Sequence, residues 1–393
     1  MQKPTNSQRF KPETRLVAAG RRFAEHGFVN PAVYHASTVL FPTVEACRKR
    51  DQEYTYGRRG TPTAHALEEA ITELEGGHHT RLMPSGLSAI STALLAVLKT
   101  GDHLLVTDSV YRPTREFCDG MLSRMGIETE YYDPLMGGGI AERFRSKTRL
   151  VVVESPGSQT MEVQDVPAIA EAARKAGILT AIDNTWATGA YFPAIAAGCD
   201  ISMQALTKYV GGHSDAMLGA VTVTEPLAER LDKAWNELGL CAGPDDTYLG
   251  LRGIRSLSVR LARHMESALK VAAWLREREE IEAVFHPGLP GAPGHDLWKR
   301  DFKGSSGLFS IVFKPCSDKA FSAFVDDLEH FGIGFSWGGF ESLAVPFNPT
   351  AYRTATRWRF EGPALRLHIG LENPEDLIAD LETGFERMRA GGK

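Results

Sequence analysis

Lys208 lies at the end of an apolar run, Ile201-Ser202-Met203-Gln204-Ala205-Leu206-Thr207-Lys208-Tyr209, whose composition reads as a buried strand. An amine held at the end of a rigid strand and kept from water loses its proton below the ordinary lysine pKa of about 10.4, and can then form a Schiff base with a carbonyl. A second apolar run, Ile178-Leu179-Thr180-Ala181-Ile182-Asp183-Asn184-Thr185, places the carboxylate of Asp183 at its end. There it can cap a turn or face a cationic ring nitrogen. The segment Met83-Pro84-Ser85-Gly86-Leu87-Ser88 precedes a helical stretch. Free N–H groups, a hydroxyl and a missing Cβ at a helix start make a cradle for a phosphate, and equally an ordinary N-cap. Tyr111, after the apolar run 103–107, offers an aromatic face for stacking or for core packing.

These residues need a scaffold that brings strand ends together. In the middle third, apolar runs at 103–107, 150–154, 178–183, 201–206 and 220–224 alternate with helical stretches such as 88–98 and 166–176. That alternation predicts an α/β domain with a largely parallel sheet covered by helices, and such sheets bind ligands at the carboxyl ends of their strands. Before it, a helix is expected from Thr61, with Ala64, Leu67, Ala70, Ile71 and Leu74 on one face and Gly76-Gly77 ending it. Residues 1–60, with Pro4, Pro12, Pro31 and Pro42, read as an extended arm. After Pro244 the pattern changes: a long helix over 247–278, strands near 308–313 and 365–369, and helices near 318–330 and 374–389. The expected organisation is an arm (1–60), an α/β domain (61–245) and a smaller α+β domain (246–393).

Composition narrows the chemistry. With 44 Lys+Arg against 49 Asp+Glu, a formal net charge of −5 and 43% apolar residues, the 393-residue chain is that of an ordinary globular protein without a basic field for nucleic acid. No apolar run approaches the roughly 18 residues of a membrane span, and the polar start shows no secretory h-region. Cys47, Cys118, Cys199, Cys241 and Cys316 are scattered and form no CxxC pair, which disfavours both a disulfide framework and a zinc site and fits a cytoplasmic protein. No HExxH, GxGxxG or GxxxxGK[ST] occurs, so metal, NAD and ATP sites are disfavoured. Glycine is the one excess, 38 of 393 residues against a background of about 7%.

A phosphate cradle, a strand-end aspartate and a strand-end lysine, in that order on an α/β sheet, are what pyridoxal 5'-phosphate requires: lysine for the aldehyde, carboxylate for the pyridine nitrogen, helix start for the phosphate. Around these residues the chain resembles the Cys/Met-metabolism family of pyridoxal-phosphate enzymes over nearly its whole length. The resemblance rests on Tyr54-Thr55-Tyr56-Gly57-Arg58, Pro84-Ser85-Gly86, Glu154-Ser155-Pro156-Gly157-Ser158, Asp183-Asn184-Thr185 and Thr207-Lys208-Tyr209. Met161-Glu162-Val163, Gly212-His213-Ser214-Asp215 and Ser336-Trp337-Gly338-Gly339-Phe340-Glu341-Ser342 are similar to its bacterial β-lyase branch.

The resemblance implies an aminotransferase-like fold type I and α,β-elimination of cystathionine to homocysteine, pyruvate and ammonia. It implies that Lys208 carries the cofactor and shuttles a proton, that Asp183 pairs with the ring nitrogen, and that Tyr111 stacks on the ring. Ser85, Gly86, Leu87 and Thr207 would contact the phosphate. Tyr56, counted with Lys208 and Tyr111 among the catalytic groups, and Arg58 would reach the cofactor of a neighbouring subunit, so a homotetramer with shared sites is implied. Arg366 would grip the substrate carboxylate beside Ser336 and Trp337, a contact suited to a planar guanidinium. Two positions depart from the γ-acting relatives, Ala205 in place of Ser and Ser158 in place of Asn, and both fit the β-lyase branch. A γ-synthase, γ-lyase or sulfhydrylase is the alternative activity, and a non-catalytic regulatory protein on the same fold is the alternative class. Gly57, Gly86, Gly157, Gly211, Gly212, Gly338 and Gly339 all fall in segments expected around the cofactor, where a missing Cβ allows close backbone approach.

Overall fold

Alternating strands and helices between residues 79 and 223 build one seven-stranded sheet. In the computed structural model, which describes residues 10–391, its strands are β1 (His79–Met83), β2 (His103–Thr107), β3 (Glu128–Tyr132), β4 (Thr148–Glu154), β5 (Leu179–Asp183), β6 (Ile201–Gln204) and β7 (Gly219–Val223). Their order across the sheet is β1-β7-β6-β5-β4-β2-β3. β6, β5, β4, β2 and β3 run parallel, and β7 runs antiparallel to both β6 and β1. Every residue of β2, β6 and β7 is buried, as expected of strands covered by helices on both faces. The helices Gly86–Val97 and Ala228–Glu237 cover one face and Val166–Lys175 the other.

Local chemistry sets the helix bounds close to the sequence expectation. The helix Pro62–Glu75 starts where the Thr61 side chain accepts from Ala64 N and Pro62 fills the first turn, and it stops at Gly76 with φ +70°. Ser85 caps Gly86–Val97 in the same way, accepting from Ser88 N at 3.1 Å.

A second, five-stranded sheet follows: β8 (Ile281–Phe285), β9 (Leu308–Phe313), β10 (Phe331–Gly332), β11 (Ser342–Phe347) and β12 (Ala364–His368), in the order β10-β11-β12-β9-β8. It is antiparallel except for β10 and β11. One face packs on the helices Leu257–Arg276, Asp318–Val325 and Pro374–Gly391 around Phe313, Phe324 and Phe385.

Two expectations are corrected. The stretch read as an extended arm holds short helices at Pro12–Ala18 and Val44–Lys49. The single helix expected over 247–278 is two, Pro244–Ile254 and Leu257–Arg276. The break has a packing cause. A Cβ on Gly253 would collide with the carbonyls of Val210 and Gly211. The Gly253 carbonyl accepts from Ser256 N (3.1 Å), Ser256 Oγ (3.1 Å) and Arg260 Nη2 (2.8 Å).

Candidate active site

Adjacent parallel strands carry their last residues to one edge, and two carboxylates meet there: Glu154 at the end of β4 is the register partner of Asp183 at the end of β5. Asp183 is oriented locally, its Oδ1 accepting from Thr185 N at 3.0 Å and Thr185 Oγ1 at 2.5 Å. Thr185 Oγ1 in turn accepts from Ala205 N at 2.9 Å and so ties the loop after β5 to the turn that carries Lys208. Burial raises the Asp183 carboxyl above the usual carboxylate range, although the Thr185 bonds and the Lys208 charge oppose it. Such a group is stabilised as an anion by a cationic partner.

Lys208 sits in a tight turn after β6, with Lys208 N donating to Ala205 O (3.1 Å) and Gly212 N to Lys208 O (2.7 Å). Its Nζ lies 2.7 Å from Ser336 Oγ and 5.4 Å from the centre of the Trp337 ring. Burial, with the Arg366 charge beside it, lowers the amine to about 8, against the opposing pull of Asp183. A buried arginine steadies the turn from behind: Arg260 Nη1 donates to Tyr209 O at 2.6 Å and its Nη2 to Val210 O at 3.3 Å.

The start of the Gly86–Val97 helix faces the same turn. A Cβ on Gly86 would stand 2.5 Å from Ala205 Cβ, so only glycine lets the first helical N–H groups approach the strand-end loop. Thr207 fixes the far side, donating from Oγ1 to Leu218 O (3.0 Å) while Oγ1 accepts from Leu218 N (2.9 Å). Leu87 is partly exposed in the first turn. Open helix N–H groups with hydroxyls on both sides are a donor set that fits a phosphate.

The second sheet supplies the opposite wall. Arg366 on β12 donates from Nη2 to Ser336 O at 3.0 Å, and burial lowers its guanidinium to about 10. Ser336 has φ +105°, a conformation that favours glycine and costs about 1–3 kcal/mol in other residues. Gly338 has φ +86°, and a Cβ there would approach the Lys208 Cα to 3.0 Å.

Tyr111 lies at the rim, its backbone N donating to Glu154 Oε2 at 2.7 Å. Burial, with the Asp183 charge next to it, pushes the Glu154 carboxyl well above its usual range. Glu154 and Thr185 carry roles that composition and strand periodicity alone did not assign, although both stand in the quoted motifs. The visible signal for Glu154 was that its strand, like that of Asp183, ends in an acid.

Three residues before Tyr111, buried Asp108 accepts from Thr354 N (3.0 Å), Thr356 N (2.8 Å) and Thr356 Oγ1 (2.6 Å). Arg353 Nη1 reaches Glu162 Oε1 at 2.7 Å. Segment 353–356 of the second sheet's domain is thereby strapped to the first.

Tyr56 and Arg58 are not brought to this site within the chain. Tyr56 is exposed and bridges to Thr38, and among the described residues no hydrogen bond or ion pair joins either residue to Lys208, Asp183 or Arg366. Arg58 Nη1 is nonetheless buried without a hydrogen-bond partner among the described residues. No group of three potential metal ligands occurs among the described residues, and no described helix is long and apolar enough to cross a membrane.

Residues 13–386 match the model of the Cys/Met metabolism PLP-dependent enzymes. A Rhizobium johnstonii protein provisionally named a cystathionine β-lyase is 52% identical over 385 residues, covering 96% of each chain. Escherichia coli cystathionine β-lyase MetC is 44% identical over 96% of this chain and 99% of its own. The crystal structure of cystathionine γ-synthase from Xanthomonas oryzae pv. oryzae in complex with aminoacrylate and cysteine superposes with a TM-score of 0.90 at 33% identity, covering 97% of this chain and 99% of that one.

Proposed function

Because the chain belongs to the Cys/Met metabolism PLP-dependent enzymes, we propose that its site performs carbon–sulfur lysis on an amino-acid substrate. The activity is that of a cystathionine β-lyase: cystathionine and water give homocysteine, pyruvate and ammonia, a step of methionine biosynthesis. The observation that carries this reading is the convergence of Lys208, Asp183, Ser336 and Arg366 on one pocket.

The residues present fit pyridoxal phosphate. Lys208 would hold it through its amine, Asp183 would face its ring nitrogen, and Ser85, Gly86, Leu87 and Thr207 would surround its phosphate. Tyr111 would lie against the ring, fixed by its backbone bond to Glu154. Bound there, the cofactor supplies an electron sink for negative charge at the substrate Cα, and an anionic Asp183 favours the cationic ring that this requires.

The protein's own groups do the rest. Arg366 binds the α-carboxylate bidentately, with its approach set by the Ser336 carbonyl. An amine near 8 is roughly one-tenth unprotonated at pH 7 and half unprotonated at pH 8, so Lys208 accepts the Cα proton and delivers one to the departing sulfur. Tyr111 borders that path, and Tyr56 would reach it only from a neighbouring subunit. Trp337, partly buried against Tyr209 with ring centres 5.5 Å apart, shields the amine from water.

We further propose a homotetramer in which Tyr56 and Arg58 complete the site of a neighbouring subunit. The unpartnered Arg58 donor and the exposed Phe28, Val29, Leu40 and Val44 on the same arm support it. Residues 1–60, 61–245 and 246–393 then act as intersubunit arm, cofactor domain and substrate-carboxylate domain. The five unpaired cysteines fit a reducing, cytoplasmic setting.

The γ-synthase likeness supports one second reading, attack at the γ-carbon of a homoserine derivative or cystathionine. Turnover of purified protein on L-cystathionine separates them: β-elimination yields pyruvate, γ-elimination 2-oxobutyrate.

A further inference from the structure

The loop 336–339 touches both groups that the mechanism uses, Lys208 through the Ser336 hydroxyl and Arg366 through the Ser336 carbonyl. It does so with Ser336 at φ +105°, unfavourable for a residue with a side chain, and Gly338 at φ +86°, which glycine adopts freely. A strained loop holds such a shape only when contacts on both flanks fix it. On one flank the contact is Arg366. On the other it is His368, two residues along β12 on the same face of the strand, whose buried Nε2 stands 3.1 Å from Gly338 N and 3.1 Å from Gly339 O.

The ring is built into a dry stack. His368 lies 5.2 Å from His264 and 5.9 Å from Tyr209, centre to centre, and Tyr209 packs on Trp337. His264 Nδ1 donates to Ile369 O at 2.8 Å, and Tyr209 Oη accepts from Gly307 N at 2.9 Å, so both neighbours are themselves fixed. Burial holds His368 well below the ordinary imidazole range, with the His264, Arg366 and Lys208 charges adding to it. A neutral ring serves the loop in either tautomer, accepting from Gly338 N–H or donating to Gly339 O.

We propose that His368 is a positioning residue for the reaction: by clipping the Gly338-Gly339 backbone it holds Ser336 against the Lys208 amine and the Arg366 guanidinium. The inference rests on the reading of Lys208 as the cofactor-bearing amine.

The test follows that amine without turnover. Full-length protein stripped of cofactor is mixed with pyridoxal phosphate across pH, and the rate at which the lysine-bound chromophore appears gives the titration midpoint of Lys208. Wild type, His368→Phe, His368→Gln, Ser336→Ala and the Ser336→Ala/His368→Phe double variant are compared. Phe keeps a ring without an acceptor, and Gln keeps an acceptor without the ring.

The proposal expects His368→Phe and Ser336→Ala to move the midpoint in the same direction by about 0.5 pH unit or more. It expects the double variant to move no further than either single one, and His368→Gln to stay near wild type. In steady state, His368→Phe should raise KM for cystathionine roughly tenfold, because Arg366 loses its guide. An unchanged midpoint in His368→Phe, or additive shifts in the double variant, overturns the proposal. If His368→Phe does not fold, His368→Asn, whose shorter amide falls short of Gly338, gives the same comparison. Failure of the underlying reading is seen separately: Lys208→Ala would then still form the chromophore at the wild-type rate.

Discussion

At the residue scale the account turns on two perturbed groups. Lys208 is lowered to about 8 by burial and by Arg366, so its proton is released some two units below that of a solvated lysine. Only the free amine reacts with an aldehyde. Capture of pyridoxal phosphate by the wild-type apoprotein should therefore rise with pH through a midpoint near 8, and a midpoint near 10 would mean a solvated amine. Lys208→Ala should abolish turnover and the lysine-linked absorbance together. Asp183 is raised by burial, so the folded protein binds its proton more tightly than the unfolded chain does. Its anionic form therefore destabilises the cofactor-free fold, a penalty that is full above the raised pKa and is relieved as pH falls from that value to the ordinary carboxylate pKa. Asp183→Asn keeps the acceptor for Thr185 and removes the buried charge. It should raise the apoprotein Tm by roughly 1–3 °C while lowering turnover on the order of 100-fold. A variant that was both active and unchanged in Tm would contradict that assignment. Arg366→Ala should raise KM and cut kcat/KM by roughly 10- to 100-fold through loss of a charge-assisted grip, and Arg366→Lys should restore little of it.

At the element scale the site is a matter of loop approach rather than of strand placement. Gly338 lies so close to the Lys208 backbone that a Cβ would reach 2.9 Å from Tyr209 N, at a φ that side chains rarely adopt. Gly338→Ala should therefore release cofactor on dialysis and lower Tm, whereas Gly139→Ala, with open space at its Cβ, should change neither. Periodicity made most of this architecture legible. The apolar runs that became β2, β4, β5, β6 and β7 fell within two residues of their observed bounds, because strands buried on both faces must be apolar throughout. β3 (Glu128–Tyr132) was invisible for the converse reason, being an edge strand whose Glu128 and Glu130 pair with Arg145. The division of the helix after Pro244 was hidden because its cause lies in the carbonyls of Val210 and Gly211, some forty residues away in sequence.

At the scale of the whole molecule, two features join the parts. The strap from Asp108 to Thr354 and Thr356 ties the domain bearing Arg366 to the one bearing Lys208. The arm carrying Tyr56 and Arg58 holds a buried Arg58 donor with no hydrogen-bond partner among the described residues. If sites are shared, Lys208→Ala and Arg58→Ala are each inactive alone, yet mixed and reassociated subunits should recover roughly a quarter of wild-type activity from sites that receive both intact residues. Recovery of none would place Arg58 in its own subunit's site.

The lysine, the aspartate and the helix start were legible in the sequence because each ends an element and breaks its pattern. The partners that tune them were not. Glu154, Thr185, Asp108 and His368 act through register and loop contacts that a linear chain does not display. The most direct test of the central claim is turnover of the purified, cofactor-loaded protein on L-cystathionine with the keto acid identified. Pyruvate and homocysteine in equal amounts are expected, lost together in Lys208→Ala. Accumulation of 2-oxobutyrate with cysteine, or no keto acid at all, would contradict it.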